Sequence, residues 1–446
     1  MVRLDFTELL LLPIFFALIL LAGKLLETRL THAQNRRIYW QGLLIKQVGA
    51  LFFALVYLFY YGGGDTTVYH HDAKIIQEAF WSNPITGIKI LLYNVGDRWD
   101  ADTYAYLRNM WMDNRTSNWT TAKITGFVEI FTLGTFLPAS LLFGFFSFLG
   151  IWKLYQFFLQ FYPQYPKWLG YSMLFIPSCV FWSSGIIKET LTSAAVGFFV
   201  YYFCELFCHK RRILFSVFVL LLSTWILRDI KSVTLLALLP GLLIWLLFKY
   251  QDRLFPSNSL KGLLVISSLL IFVGGMVLAG RDISNQLESQ EEFAALQYQL
   301  KATHYDHGGR TKGHGGGEAS SYQLDCANDL SFLGMVYCIP SAINVTLFRP
   351  YPWEVNKAFT RLMSLEGVAL MFFTLLALFK SNVNSIKSLT TNPEILMALS
   401  YTIIFGFIVG LFSFNFGVLT RFKAPMMPFY VAMLVLIYQR AESRRN

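Results

Sequence analysis

Long apolar runs constrain the fold of this chain more than any other feature of the sequence. About 20 apolar residues are needed to cross the hydrocarbon layer of a membrane as a helix, and by that measure the sequence contains about eleven candidate spans. The 446 residues are 55% hydrophobic and only 14% charged, a composition typical of polytopic membrane proteins. The sequence therefore predicts an all-α fold in which residues 1–446 form a single integral membrane domain. Four of the candidate spans lie at 169–182, 213–227, 233–248 and 263–278.

The basic residues indicate how the chain is oriented. The formal net charge is +10, but the lysines and arginines are spread over short connections and form no stripe, so nucleic acid is not expected as a partner. Short cytoplasmic loops of membrane proteins carry an excess of Lys and Arg, which marks the connections 27–41 and 209–212 as cytoplasmic. Counting spans from there makes residues 62–126 the first large exoplasmic loop and residues 281–356 the second.

The first exoplasmic loop opens on a dense group of polar residues. Three glycines at 62–64 allow a sharp turn, and Asp65, Tyr69, His70 and Asp72 follow within one short stretch. Ionisable residues beside a membrane cost free energy and therefore suggest function, although a solvated loop is the alternative. Apolar residues then recur at helical spacing from 71 to 93, which predicts a helix lying in the membrane interface.

The second exoplasmic loop has a different composition. Its middle, residues 301–321, is rich in Gly, His and Ser, which cannot bury a core and predicts a mobile tract. Cys326 and Cys338 both fall in this loop, so a disulfide is an open alternative if the loop is exoplasmic.

Polar clusters collect on the exoplasmic side in this topology, whereas the inner loops offer few carboxylates or histidines. We therefore expect any chemistry to be exoplasmic. The clusters are 65–72, 97–102, Lys188 with Glu189, Arg228 with Asp229 and Lys231, the stretch 349–354, and Arg421 with Lys423.

Exoplasmic chemistry limits the substrate. ATP and nucleotide sugars are cytoplasmic, but a sugar carried across on a polyprenyl phosphate is available outside. Its transfer needs a base for the acceptor hydroxyl, cations for the departing phosphate and a groove for the lipid tail. Asp65 is the predicted base. The predicted substrate-binding residues are Tyr69, His70, Lys188, Glu189, Arg228, Lys231, Arg349, Glu354 and Arg421.

Structural roles compete with several of these assignments. Lys188 and Glu189 could cap a helix, and Arg228 could simply pair with its neighbour Asp229. Asp65, His70 and Asp72 could hold a divalent metal, but neighbouring histidines point apart, so at most one would face Asp65. No other cofactor is predicted.

Two short motifs carry a family resemblance. The stretch Gly64-Asp65-Thr66-Thr67-Val68-Tyr69, after a membrane span, resembles the acidic-plus-Tyr pattern of GT-C membrane glycosyltransferases, the class of the dolichyl-phosphate-mannose mannosyltransferases and their bacterial relatives. The ending Asn415 to Phe429 is similar to a last-helix element of bacterial polysaccharide-assembly proteins. The resemblance implies that Asp65 is the catalytic base, that a polyprenyl-linked donor serves a glycan or lipid acceptor, and that the protein lies in a bacterial inner membrane. Here, however, the motif follows the second span instead of the first, and it lacks an adjacent acidic pair.

Two other functions stay open at this stage. An O-antigen-type polymerase would join lipid-linked repeat units, with the stretch 347–354 serving it equally well. A transporter or flippase of lipid-linked sugars would use intramembrane charges such as Glu129, Glu366 or Lys188 with Glu189, but most charges lie at helix ends, and no internal repeat of the kind common in transporters is seen.

Overall fold

The computed structural model describes residues 4–93, 100–112, 117–254, 267–268, 270–275, 322, 324, 326, 332–355, 358–381, 392–413 and 416–443. Every regular element within these residues is helical. In this described part of the chain, seven helices are long and apolar enough to cross a membrane, or eight if a bent pair near the C-terminus counts as one span. The chain is thus an all-α integral membrane protein. The predicted total of about eleven spans exceeds what the described residues contain, and most of the predicted span 263–278 lies outside them.

The chain groups into two compact units, Met1–Ser232 and Val233–Asn446. The helices that begin in the first unit are α1 Phe6–Leu30, α2 Arg36–Leu55, α3 Asp65–Ser82, α4 Pro84–Leu92, α5 Ala101–Leu107, α6 Ser117–Phe131, α7 Phe136–Phe161, α8 Pro166–Leu174, α9 Pro177–Trp182, α10 Lys188–Cys204 and α11 Ile213–Lys249. Those of the second are α12 Gln251–Leu254, α13 Phe332–Phe348, α14 Ala358–Lys380, α15 Pro393–Phe412, α16 Phe416–Phe422 and α17 Met427–Ser443.

The predicted span 169–182 is broken into two short helices, α8 and α9. Pro177 begins α9, and proline disfavours helical backbone in the residue before it. The buried Lys46 ammonium of α2 secures the break, because it donates to the carbonyl of Cys179 at 3.1 Å and to both the carbonyl and the hydroxyl of Ser183. The buried backbone 183–187 then leads into α10 without regular structure.

Helix α11 covers both of the predicted spans 213–227 and 233–248 and is interrupted between them. Lys231 has non-helical backbone angles (φ −158°, ψ 74°), so the 37 residues are two helices meeting at that residue. The polar residues 228–231 therefore lie at the end of the first of these two helices, and Lys231 is the residue at which the helix is interrupted.

Contacts between helix ends fix the directions of the first spans. Glu8, near the start of α1, accepts from the backbone N–H of Leu137, near the start of α7, at 2.9 Å. The Leu30 carbonyl at the other end of α1 accepts from the Trp152 indole at 2.9 Å, so α1 and α7 are parallel. Tyr39, near the start of α2, packs on the same Trp152, so α2 runs the opposite way. Residues 62–135 thus begin and end at one end of these spans.

Helix α10 runs parallel to α7 and brings its first residue to that same end. The two helices approach closely at Gly150, where a Cβ atom would lie 2.4 Å from the Cα atom of Ala194. Further along, the Lys153 ammonium lies 4.2 Å from the centre of the Tyr201 ring. Lys188 is therefore at the end where α2 finishes and α7 starts, as the sequence predicts.

The segment between α2 and α7 is a small helical assembly. Its apolar core contains Ile76 and Ala79 from α3, Ile90 from α4, Leu107 from α5 and Trp119 from α6. Helix α4 leaves Ile85, Ile88 and Leu92 exposed, which suits the predicted interfacial helix. The structure divides that predicted helix at Asn83, whose side chain caps α4.

The second unit contains a helix that the sequence analysis assigned to a loop. Helix α13 lies within the predicted loop 281–356 and packs against α15, with the Thr346 hydroxyl donating to the Gly406 carbonyl at 2.6 Å. Cys326 and Cys338 form a disulfide. The predicted mobile tract 301–321 and the polar residues 94–99 lie outside the described residues.

Candidate functional site

Polar side chains from four separate segments of the first unit meet around the start of α6. We call them the junction cluster; its members are Tyr69, Ser117, Asn118, Thr120, Lys188, Glu189, Asp229 and Lys231.

Direct hydrogen bonds link the members across the fold. The Lys188 ammonium donates to the Ser117 hydroxyl at 2.6 Å, and the Tyr69 hydroxyl donates to the Asn118 side-chain oxygen at 2.8 Å. The Thr120 hydroxyl donates to the Asp229 carboxylate. Three segments distant in sequence therefore converge on the first turn of one helix.

The break in α11 adds a second cation to the cluster. The Lys231 ammonium lies 3.7 Å from Oε1 of Glu189, whose side chain is only 1% exposed. A buried carboxylate needs such a partner, because an uncompensated charge away from water is costly. Arg228 lies exposed one turn earlier on the same helix, so three cations and two carboxylates occupy this region.

The local backbone suits an anion. Helices α6 and α10 both begin at the cluster, at Ser117 and Lys188, and the N-terminal end of a helix carries a partial positive charge. Together with the two lysines, these helix starts form an environment in which a phosphate would be stabilised.

Asp65 is the first residue of α3 and is exposed. The glycines before it have φ values of 70°, 133° and 143°, which residues with a Cβ atom rarely adopt, so the triple glycine is needed for this sharp entry into α3. Tyr69 is four residues further on and therefore on the same side of α3. Asp65 thus precedes by one turn the tyrosine that reaches the junction cluster.

His70 is placed elsewhere than the sequence analysis expected. Its Nδ1 atom lies 2.7 Å from Oε1 of Glu129 in α6, and both side chains are buried. Burial disfavours the charged ring, but the Glu129 carboxylate outweighs it and raises the pKa of His70. Burial raises the pKa of Glu129 to about 6, against the lowering influence of His70. The pair joins α3 to α6. Glu129 was one of the intramembrane charges predicted for a transporter, and here it pairs with His70.

Asp72 also has a structural partner. Its carboxylate accepts from the backbone N–H groups of Trp111 and Met112 at 2.8 and 2.9 Å, while His71 stacks on the Trp111 ring with centroids 3.7 Å apart. His70 and Asp72 therefore bond to different parts of the fold. Within the described residues, no group of three or more His, Cys, Asp or Glu side chains is placed to hold a metal.

The other predicted residues belong to the second unit. Arg349 pairs with Glu354, and its guanidinium lies 5.2 Å from the centre of the Phe416 ring and 5.5 Å from that of Tyr322. Arg421 is half-buried in the last turn of α16. These three form part of a separate region built on α13, α16 and the stretch between α13 and α14.

Helix α6 contributes polar residues to the junction cluster that were not predicted from sequence. Ser117, Asn118 and Thr120 take part in the hydrogen bonds that join Tyr69, Lys188 and Asp229 to α6, yet none of the three is among the residues predicted from sequence. The signal was present, because a run of Ser, Asn and Thr before an apolar helical pattern is typical of a helix start. Lys46 was missed as well, and a lone lysine inside an apolar run was the available clue.

Comparisons of the chain with protein-family models, with curated proteins and with solved structures find no match.

Proposed function

We propose that this protein is a membrane glycosyltransferase that moves a sugar from a polyprenyl-phosphate-linked donor to a glycan or lipid acceptor on the exoplasmic face. The observation that carries the proposal is the junction cluster, in which two lysines and two helix starts converge and whose member Tyr69 lies one helical turn after Asp65 on α3. A lipid-linked donor brings a phosphate that such a site would bind.

In the proposed reaction the acceptor hydroxyl oxygen attacks the anomeric carbon of the donor sugar. The bond between that carbon and the phosphate oxygen breaks as the glycosidic bond forms. Asp65 takes the proton of the acceptor hydroxyl, as a base for a transition state with a good phosphate leaving group. Lys188 and Lys231 stabilise the charge that develops on the departing polyprenyl phosphate.

The remaining polar residues would position these groups. Glu189 holds Lys231, and Ser117 holds Lys188, so each ammonium has a fixed place before the donor binds. A cation fixed in advance costs no reorganisation during the reaction. Tyr69 and Asn118 connect the helix that carries Asp65 to the same cluster.

Two features support the exoplasmic and lipid-facing parts of the proposal. A disulfide at Cys326 and Cys338 favours an oxidising compartment for that loop. A cleft of about 530 Å³ beside α4 is lined mainly by Ile85, Ile88, Leu92 and Tyr93, and apolar surface of this kind could hold part of a lipid chain.

A transporter or flippase of lipid-linked sugars is the second candidate, and a specific observation favours it. The α8–α9 break, stabilised by the buried Lys46, is a discontinuous span with irregular backbone enclosed in protein. Broken spans of this type recur at the substrate sites of transporters.

A transfer assay with the full-length protein in proteoliposomes separates the two. We expect Asp65→Asn to abolish transfer from a polyprenyl-phosphate-linked sugar to acceptor, because the base is lost while the shape is kept. Glu78→Gln, a matched change of an exposed acid on the same helix, should leave transfer intact. Normal transfer by Asp65→Asn contradicts the role of the base, and movement of the donor across the bilayer without transfer favours the transporter.

A further inference from the structure

A second cleft lies at the opposite end of the first unit from the junction cluster. It has a volume of about 540 Å³ and is formed where α1 ends, α2 begins and α7 nears its C-terminus. In the predicted topology this end faces the cytoplasm, because the connection 27–41 is rich in arginine. The glycosyltransferase proposal makes no use of this cleft.

Buried polar atoms without hydrogen-bond partners line this cleft. They are Oδ1 of Asn35, the hydroxyl of Tyr155 and Oε1 of Gln156, for none of which the described part of the chain offers a partner. Asn35 is 1% exposed and Tyr155 fully buried. An unsatisfied buried polar atom costs free energy, and three such atoms around one cleft indicate a ligand that supplies the missing bonds.

The orphan atoms identify the polar chemistry of that ligand. The side-chain oxygens of Asn35 and Gln156 are acceptors and require donors, and the Tyr155 hydroxyl can pair with either kind of group. The Gln156 amide nitrogen already donates to the Leu30 carbonyl, which leaves its oxygen as the free function. A ligand with several hydroxyl groups meets these requirements.

Aromatic rings and one cation complete the site. Trp152, Tyr155 and Tyr201 line the cleft, and aromatic faces suit the apolar faces of sugar rings. Arg29 lines it as well, and the nearby Glu27 carboxylate is already bonded to Lys24 and Arg36. None of the lining residues is acidic, which argues against a divalent cation and favours an anion.

We infer that this cleft binds a phosphorylated sugar, with its hydroxyl groups on Asn35, Tyr155 and Gln156 and its phosphate at Arg29. The same chemistry occurs in a free sugar phosphate and in the headgroup of a lipid-linked sugar. This inference does not depend on the glycosyltransferase proposal, because it concerns other residues at the other end of the unit.

Binding to the full-length protein in nanodiscs tests the inference. The probes are glucose 1-phosphate, a short-chain prenyl-phosphate glucose, methyl glucoside and inorganic phosphate, measured by calorimetry. We expect one or both phosphorylated sugars to bind, and methyl glucoside and inorganic phosphate to bind at least about tenfold more weakly, since each lacks one group of contacts. The measurements use the Lys188→Ala protein, in which binding at the junction cluster is weakened. In that protein, binding of glucose 1-phosphate identifies a free ligand, and binding of the prenyl compound alone identifies a lipid headgroup. If no phosphorylated sugar binds, or inorganic phosphate binds equally well, the inference is overturned.

Tyr155→Phe is the sharpest variant, because it removes only the orphan hydroxyl. We expect it to weaken the phosphorylated sugar about tenfold while leaving the thermal unfolding temperature of the free protein unchanged or raised, since a buried hydroxyl without a partner is removed. Tyr171→Phe, at an exposed tyrosine outside the cleft, is the control and should change neither quantity. Arg29→Gln, an exposed change that folding tolerates, should weaken the phosphorylated sugars and not methyl glucoside. Unchanged affinity in both Tyr155→Phe and Arg29→Gln would overturn the assignment.

Discussion

Tyr69 and His70 are neighbours in sequence, but they serve two different regions of the molecule. Tyr69 bonds to Asn118 in the junction cluster, where α10 and α11 each contribute a lysine and a carboxylate. His70 is buried against Glu129, in a pair that only joins α3 to α6. Neighbouring polar residues of one motif thus have different roles. Tyr69 belongs to a cluster that joins separate segments, whereas His70 stabilises the packing of α3 on α6. Variants of the first kind should change activity and those of the second should change stability.

The largest expected effect is on transfer by Lys188→Ala. Removing one preorganised cation or donor from a developing charge typically slows a reaction about a hundredfold or more, and the half-buried Lys188 ammonium is held in the cluster by the Ser117 hydroxyl. The measurement is the transfer rate per folded protein in proteoliposomes. Lys167→Ala, at an exposed lysine of α8, is the control. Equal rates in the two variants would remove Lys188 from the site.

Asp72→Ala should lower the stability of the protein and not its activity. Two backbone N–H groups of the stretch 111–112 lose their acceptor, which should lower the free energy of unfolding by about 2 kcal/mol. Thermal unfolding in detergent measures this loss. The folded fraction should keep its transfer rate, and a loss of rate without a loss of stability would instead place Asp72 in the active site.

The His70–Glu129 pair should make stability depend on pH. Both pKa values are raised in the folded protein, that of Glu129 from 4.5 to about 6, so the folded pair binds protons more tightly than the unfolded chain. Its contribution is fully present below about pH 4.5, falls as the pH rises through 6, and falls further through the raised pKa of His70. The difference in unfolding temperature between the wild type and a His70→Gln, Glu129→Gln double variant, measured from pH 4.5 to 8, should therefore shrink with rising pH. A difference that grows would contradict this assignment.

Arg228→Gln should have the smallest effect. Arg228 is exposed, and exposed charges are screened by salt. We expect a few-fold rise in the donor concentration needed for half-maximal transfer at low salt, and a much smaller rise at high salt. A loss as large as that of Lys188→Ala would mean that the arginine contacts the donor directly.

The helical class of the fold and the directions of several helices could be predicted from the sequence, because the bilayer itself requires apolar runs and basic connections. The all-α fold, the interruption of α11 between residues 227 and 233 and the common end shared by Asp65 and Lys188 all followed from those patterns. The break of the span 169–182 could have been suspected from Pro177, but its stabilisation by Lys46 depends on a contact between distant segments. Helix α13 was hidden because a helix of 17 residues with an internal proline falls below the usual length of a span.

The residues of the candidate site were harder to predict than the fold. Sequence grouped His70 and Asp72 with Asp65 because they are close along the chain. Helical geometry turns His70 to another side of α3, and Asp72, two turns beyond Asp65, accepts from the backbone of Trp111 and Met112. The role of Ser117, Asn118 and Thr120 could not be read locally, since it depends on which spans pack beside α6. Arg349, Glu354 and Arg421, predicted to act with Asp65, lie in the second unit, and their joint action stays a prediction.

The central claim is that the junction cluster binds the phosphate of a lipid-linked donor. The most direct test compares three full-length proteins in nanodiscs, each carrying Tyr155→Phe so that binding at the second cleft is weakened equally in all of them. One has no further change, one adds Lys188→Ala and one adds Lys167→Ala, and the measured quantity is the affinity for a short-chain prenyl-phosphate sugar. We expect Lys188→Ala to weaken binding at least about tenfold and Lys167→Ala to leave it unchanged. Equal affinity in all three proteins would contradict the claim.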